Sequence, residues 1–208
     1  SLREAMAAKK RAVVPARTLL ADDALRAQLL EALKGLRAAF GAAPLVLELP
    51  SPRAWVGAAY RLAFGADATI DVGADEADSC SVYVAEFLRS FGESGVDGVL
   101  LSEASGAEPD SAEQIAWYQP VLNLAEHYRW DLGLHLPSGA GFTGAANGVQ
   151  FVIAPQPIAG AVHGQALEPK FWEGEPAAEV PNGGFRYARI PVDAVPEKVL
   201  ERLSGLRG

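Results

Sequence analysis

Short apolar segments of strand length alternate with amphipathic helical segments along this chain. Residues 44–50 (PLVLELP) form a nearly continuous apolar run, which is typical of a strand covered on both faces. Leu25, Leu29 and Leu33 recur at a spacing of four residues, which predicts a helix that ends at Gly41. This alternation predicts an α/β fold with parallel strands and right-handed crossovers. The predicted strands are residues 11–18, 44–50, 96–103, 131–137, 149–155 and 185–191.

Neither a linker nor a fixed-period repeat divides the 208 residues, so the sequence predicts a single domain spanning residues 1–208. The segment 66–74 (ADATIDVGA) is ambiguous between strand and loop. Residues 155–184 are the longest stretch without a regular pattern. They are predicted to form a long irregular loop, the best candidate for a lid or an insertion.

The charge balance argues against polyanionic partners. Aspartate and glutamate number 26 and lysine and arginine 18, for a net charge of −8, which disfavours binding to nucleic acid or to an anionic membrane. No apolar run is long enough for a membrane span. A single cysteine excludes an intrachain disulfide. The first residues contain no secretory signal, although a processed signal would leave no trace, so we expect a cytoplasmic protein.

Several predicted strands end on polar side chains. Because the carboxyl ends of parallel strands meet at one rim, where ligands bind in α/β proteins, we expect these side chains to lie close together. The candidates at strand ends are Arg17, Thr18, Glu48, Ser102, Glu103, His135, Gln156 and Arg189.

Glu48 is the sharpest of these candidates because Leu47 and Leu49 flank it within an apolar strand. A carboxylate in such a strand must be paired, hydrogen-bonded or protonated. Glu48 is therefore either a structural partner of an arginine such as Arg17 or Arg53, or a functional group at the mouth of the fold. We expect it to face that mouth in a polar cluster with Arg17, Glu103 or His135.

Residues 138–148 (SGAGFTGAANG) contain the pattern Gly139-x-Gly141-x-x-Gly144 directly after a strand. A dinucleotide site also needs a following helix and an acidic residue about 20 positions later, and both are missing. The segment is predicted to be a flexible loop that could present backbone N–H groups to an anion. Three histidines and Cys80 have no metal-ligand spacing, so neither a metal nor a cofactor is expected.

Three segments resemble the superfamily of uroporphyrinogen decarboxylase and cobalamin-independent methionine synthase. They are PLVLELPSPRAWVGAAYRLAFG, VDGVLLSEA and IPVDAVPEKVLERLSGLR, and the resemblance covers about residues 24–103 and 185–207. It implies a (β/α)8 TIM-barrel type of fold, here short or incomplete, with the site at its mouth. The arginine-rich N-terminal loop of the decarboxylases and the His-x-Cys of the zinc enzymes are absent, so neither of those reactions carries over.

The predicted function is binding of a small polar or carboxylate metabolite at the carboxyl-end rim. An enzyme of this kind would be a lyase or transferase that uses acid–base chemistry without a redox cofactor. Glu48 and His135 would form the acid–base pair, with Glu103 as a second carboxylate and Arg17 as the anchor for a substrate carboxylate. The remaining substrate-binding candidates are Ser102, Gln156 and Arg189. The alternative is a non-catalytic barrel subunit or scaffold protein, acting as a homo-oligomer or with a partner subunit.

Overall fold

Six parallel strands form one sheet, in which each strand pairs with the next one along the chain. The structure is a computed structural model that describes residues 1–138 and 141–206. Gly139 of the glycine-rich motif and Arg207 at the end of the third resembling segment lie outside this range. The sheet confirms the α/β class and the parallel strand direction. Its strands are β1 (Val46–Pro50), β2 (Gly98–Ser102), β3 (Asp131–His135), β4 (Phe151–Ile153), β5 (Val162–Ala166) and β6 (Phe185–Tyr187).

Eight α-helices lie in the described residues, most of them in the first two thirds of the chain. Two short 3-10 helices, Ala116–Tyr118 and Pro169–Glu173, accompany them. Within the described ranges, no helix is both long enough and apolar enough to cross a membrane. The α-helices are α1 (Leu2–Met6), α2 (Val14–Leu20), α3 (Asp23–Phe40), α4 (Pro52–Phe64), α5 (Ala74–Arg89), α6 (Ala112–Ile115), α7 (Gln119–Tyr128) and α8 (Pro196–Ser204).

Helix α4 begins directly after β1 because Ser51 caps it. The Ser51 hydroxyl accepts a hydrogen bond from the backbone N–H of Ala54 at 3.1 Å, and Pro52 occupies the first helical position, where a proline costs no hydrogen bond. The helix ends at Gly65, whose φ of 116° is disfavoured for other residues. This short connection places α4 at the carboxyl end of β1.

One face of the sheet packs against the helices and forms the hydrophobic core. Leu49, Leu101, Leu134 and Val152 lie side by side in the strand register and are all buried. They belong to one apolar cluster with residues of α2, α4, α5 and α7. Burial of this apolar surface is the main stabilising contribution to the fold.

The opposite face of the sheet carries the alternate side chains, in a second line that begins with Glu48 on β1. Gly133 on β3 makes room for the ring of Phe151, since a Cβ at this position would lie 2.0 Å from Phe151 Cε2. Gly164 on β5 makes room for Phe185 in the same way, at 2.6 Å from Cζ. The two phenylalanine rings meet edge to face at 5.6 Å and fill this side of the sheet.

The two edge strands approach each other although they do not pair. Among the described residues, β1 pairs only with β2 and β6 only with β5, so the sheet is not closed. In a flat sheet the two edges would be roughly 24 Å apart, since neighbouring strands are spaced by about 4.8 Å. Yet the Tyr187 hydroxyl on β6 lies 2.8 Å from Glu48 Oε2 on β1. The sheet therefore curves strongly, and Glu48 lies on its concave face.

The first predicted strand, residues 11–18, is wrong, because this segment leads into helix α2. Pro15 lies in the first turn of α2, where its missing N–H and fixed φ suit a helix as well as a strand mouth. Ala16 and Leu20, four residues apart, are buried on one side of the helix. Contacts of α2 with α4 and α5 thus decide the conformation of a segment whose local pattern is ambiguous.

The predicted irregular loop at residues 155–184 contains strand β5 and the 3-10 helix Pro169–Glu173. His163, which falls within this predicted loop, is a buried residue of β5. The segment VHGQA has only two apolar side chains besides its glycine, so no strand pattern is visible. The strand is held between β4 and β6 by parallel pairing, and Gly164 leaves room for the ring of Phe185.

The other five predicted strands coincide with observed ones, but the alternation with helices is not maintained. In the described residues, no helix lies between β3 and β4 or between β4 and β5. The latter connection is only eight residues long, residues 154–161, which is shorter than the dozen or more residues of a usual parallel crossover. The ambiguous segment 66–74 is a non-strand connection that leads into α5.

Candidate functional site

A cavity of about 410 Å³ lies at the carboxyl ends of β1 and β2, where the edge strands approach each other. Its volume is within the usual range of small-molecule sites. Four charged side chains line it, two carboxyl groups and two guanidinium groups. The lining residues are Glu48, Leu49, Pro50, Ala54, Ala58, Arg61, Ser102, Glu103, Ala104 and Arg189.

Three donors from two other strand ends hold Glu48. In the described residues they stand in place of the predicted partners Arg17, Arg53, Glu103 and His135, none of which hydrogen-bonds to Glu48. The Ser102 hydroxyl donates to Oε1 at 2.5 Å and the Tyr187 hydroxyl donates to Oε2 at 2.8 Å. Arg189 Nη2 also donates to Oε1 and forms an ion pair with the carboxylate. Arg189 Nε donates to the Tyr187 hydroxyl at 2.8 Å, which fixes the tyrosine and the guanidinium together. These side-chain contacts link β1 to β6 where backbone pairing is absent.

The Glu48 carboxylate remains ionised at neutral pH. Burial opposes its ionisation, but the hydrogen bonds from Ser102, Tyr187 and Arg189 outweigh that effect and lower its pKa. A carboxylate with a lowered pKa that is held by three donors is suited to orienting neighbouring groups. It is poorly suited to exchanging a proton near pH 7.

His135 lies beside this cluster at the end of β3, with its ring centroid 5.3 Å from that of Tyr187. Burial, followed by the positive charge of Arg189, lowers the pKa of His135, so its imidazole is neutral at pH 7. Its Nδ1 atom is buried and has no hydrogen-bond partner in the described part of the chain. His135 does not line the cavity itself.

Glu103 follows β2 and points to the side of the sheet that the helices cover. Its side chain is almost fully buried, with the residue 5% exposed. Tyr118 donates a hydrogen bond to Oε1 at 2.5 Å and Ser51 donates to Oε2 at 2.7 Å. Ser51 therefore caps α4 and binds Glu103 at the same time.

Burial raises the pKa of Glu103 to about 7, because an ionised carboxylate is costly at this depth. The hydrogen bonds from Tyr118 and Ser51 and the charge of Arg53 oppose this rise, whereas Glu108 adds to it. A carboxyl group with this pKa exists in both protonation states near neutral pH. Such a group can both donate and accept a proton.

The cavity brings together four of the seven residues to which the sequence gave a catalytic or substrate-binding role: Glu48, Ser102, Glu103 and Arg189. Arg17 is not among them, since it lies on α2 and lines a separate groove with Glu76 and Tyr83 of α5. Its proposed position at a strand end is wrong because the strand itself is a helix. Gln156 is exposed in the connection between β4 and β5 and lies outside the cavity.

Four residues of the site were not identified from the sequence: Ser51, Arg61, Tyr118 and Tyr187. Tyr187 and Arg189 are two residues apart at the end of a strand, so period-two alternation could have placed both on the face of Glu48. Tyr118 is fully buried, and an aromatic residue in a helical segment gives no local sign that it will bind a carboxyl group. Arg61 gives no local signal, because exposed arginines near the end of a helix are common.

A second cavity, of about 490 Å³, lies at the opposite end of the sheet, near the start of β3. Its charged residues, Glu126, Arg129 and Asp131, are all exposed. Solvent and salt screen charges at exposed positions such as these. The cavity at the carboxyl ends of β1 and β2 is the better candidate site.

We expect the purified protein, after dialysis, to contain far less than one zinc per chain. The sequence has one cysteine, and burial keeps it protonated by raising the pKa of Cys80 to about 12. Across residues 1–138 and 141–206, no group of three or more potential ligands could hold a metal ion. Elemental analysis tests this expectation, and close to one zinc per chain would contradict it.

Comparisons of the chain with protein-family models, with curated proteins and with solved structures found no match. The geometry of the cavity is therefore the basis for inferring a function.

Proposed function

We propose that the cavity binds a small carboxylate metabolite and that Glu103 exchanges a proton with it. The observation that carries this proposal is a buried carboxyl group, with a pKa of about 7, in a cavity that two arginines also line. Guanidinium groups favour carboxylate ligands because they offer several donors in a planar fork. The reaction class is a lyase or transferase that needs no redox cofactor.

Glu103 is better suited to acid–base chemistry than Glu48. The pKa of Glu48 is lowered, so it stays ionised, whereas Glu103 changes protonation near pH 7. Glu48 instead holds Arg189 and Tyr187 at the rim. The neutral imidazole of His135, beside Tyr187, is a second group that could accept a proton.

We further propose that the curved sheet is an incomplete barrel of the uroporphyrinogen decarboxylase and methionine synthase type. The sequential order of the parallel strands and the approach of β1 to β6 support this relationship. In such barrels, ligands bind at the carboxyl ends of the strands. That is also where Glu48, Glu103 and Arg189 line the cavity.

Acid–base chemistry can be tested without knowing the natural substrate. The protein is incubated in D₂O with pyruvate, 2-oxobutanoate, malate and 3-hydroxybutanoate, and NMR records deuterium uptake, elimination or decarboxylation. We expect reaction of at least one acid, and a rate about 10²-fold lower or more for Glu103→Gln, the usual contribution of a general acid or base.

Glu86→Gln is the matched control for this experiment. Glu86 is exposed on α5 and pairs with Arg89 at 2.9 Å, so the variant removes an equivalent charge far from the cavity. It should react at the rate of the unmodified protein. Equal rates for the Glu103→Gln variant and the unmodified protein would contradict the role of Glu103.

A non-catalytic binding subunit is the second candidate function. It is favoured by the fact that both oxygens of Glu103 already accept hydrogen bonds from buried hydroxyl groups. Such an arrangement would also serve to tie β2 to α4 and to Tyr118. The same experiment separates the two functions, because a binding subunit would bind a carboxylate without converting it.

A further inference from the structure

We propose that Arg61 is the carboxylate anchor of the cavity and that its ligand is a small acid with one negative charge and an apolar body. This inference rests on the proposed function, since it names the class of ligand for the same cavity.

The two arginines of the cavity differ in whether another side chain already pairs with them. Arg189 donates from Nη2 to Glu48 and from Nε to the Tyr187 hydroxyl. Arg61 lies in the last turn of α4, is exposed, and forms neither an ion pair nor a side-chain hydrogen bond with any described residue. Arg61 is thus the cation of this cavity that remains available for an incoming carboxylate.

The wall between the charged groups is apolar. Ala54 and Ala58 are four residues apart and lie on one side of α4, where their small side chains leave space. Leu49, Pro50 and Ala104 complete this apolar surface. With a volume of about 410 Å³, the cavity suits a ligand of few carbon atoms whose body contacts these residues.

The net charge of the residues that line the cavity favours ligands with a single negative charge. Glu48 and Arg189 neutralise each other, so Arg61 provides the net positive charge while Glu103 is protonated. The groups that interact with Glu103 are Tyr118, Ser51, Arg53 and Glu108. When Glu103 ionises, the net charge of the four lining groups falls to zero. We therefore expect monoanions to bind more tightly at pH 6 than at pH 8.

The test measures binding of 2-hydroxybutanoate, succinate and the neutral analogue butanamide by calorimetry or NMR titration at pH 6 and pH 8. We expect 2-hydroxybutanoate to bind most tightly. Arg61→Gln should weaken its binding by about tenfold or more, which corresponds to loss of a hydrogen bond between charged groups. The same variant should leave the binding of butanamide unchanged.

Two further variants make the result specific. Arg89→Gln removes an exposed arginine of α5 that pairs with Glu86, and it should leave every affinity unchanged. Glu103→Gln should abolish the difference in affinity between pH 6 and pH 8. Because Arg61 is exposed, its replacement leaves the core intact, and the thermal unfolding midpoint should not change.

If the Arg61→Gln variant binds 2-hydroxybutanoate as tightly as the unmodified protein does, the role of Arg61 is overturned. The proposed function is not affected by that result. Tighter binding of succinate than of 2-hydroxybutanoate would overturn the preference for a single charge. Absence of binding of all three probes to the unmodified protein would overturn the proposed function as well.

Discussion

Replacing Gly133 by alanine is expected to lower the free energy of unfolding by about 3 kcal/mol, at the upper end of the usual cost of overpacking. A Cβ at this position would lie 2.0 Å from Phe151 Cε2, which is far inside van der Waals contact. The ring of Phe151 packs edge to face against Phe185, so a shift of the ring away from the new methyl group would disrupt that aromatic contact. Equilibrium unfolding in urea measures the change.

Two controls show whether the Gly133–Phe151 contact is the cause. Gly35→Ala adds the same methyl group in α3, where no atom lies within 4 Å, and should raise stability by up to about 1 kcal/mol. The double variant Gly133→Ala with Phe151→Leu should regain part of the loss, because a smaller side chain vacates the space. A cost below about 0.5 kcal/mol for Gly133→Ala alone, within the range of ordinary surface substitutions, would contradict this packing.

Ionisation of Glu103 is expected to change the free energy of unfolding by about 3 kcal/mol as the pH rises, and replacing Glu103 by glutamine should remove this pH dependence. The pKa of Glu103 is about 7 in the folded protein, compared with 4.5 for a free glutamic acid side chain. The folded state therefore binds this proton more tightly than the unfolded state. The resulting stabilisation is complete below pH 4.5 and is lost as the pH rises through 7.

Urea unfolding of both proteins between pH 4 and pH 8.5 measures this effect. The stability of the variant relative to the unmodified protein should rise by about 3 kcal/mol across that range. Contributions from groups that both proteins share, such as Glu48, cancel in the difference. Glu126→Gln, at an exposed position on α7, should give a profile parallel to that of the unmodified protein. Parallel profiles for Glu103→Gln would contradict the raised pKa.

These two substitutions probe the two faces of the sheet. Gly133 and Phe151 lie on the concave face that also carries Glu48, whereas Glu103 lies among the helices. The cavity contacts both faces, because Glu48 and Leu49 are consecutive residues of an edge strand and point in opposite directions. An unpaired edge thus brings an ion pair and a buried carboxyl group into one site.

Local patterns in the sequence determined five of the six strands and the parallel α/β class. Residues 44–50 and 96–103 are apolar runs of strand length, and such runs form buried strands in many tertiary contexts. Glu48 and Glu103 were recognisable as candidates for the same reason, since charged residues at the ends of apolar strands need partners. The sequence pattern that identifies each of these strands and glutamates lies within a few residues of it.

Tertiary structure alone decided the rest. Residues 14–20 became a helix through contacts with α4 and α5, and β5 formed where Phe185 could pack over Gly164. The partners of Glu48 come from positions up to 141 residues away, because only the curvature of the sheet brings β6 to β1. The raised pKa of Glu103 likewise requires burial among Ser51 and Tyr118. Burial and long-range contacts are properties of the packed molecule, and no local sequence pattern encodes them.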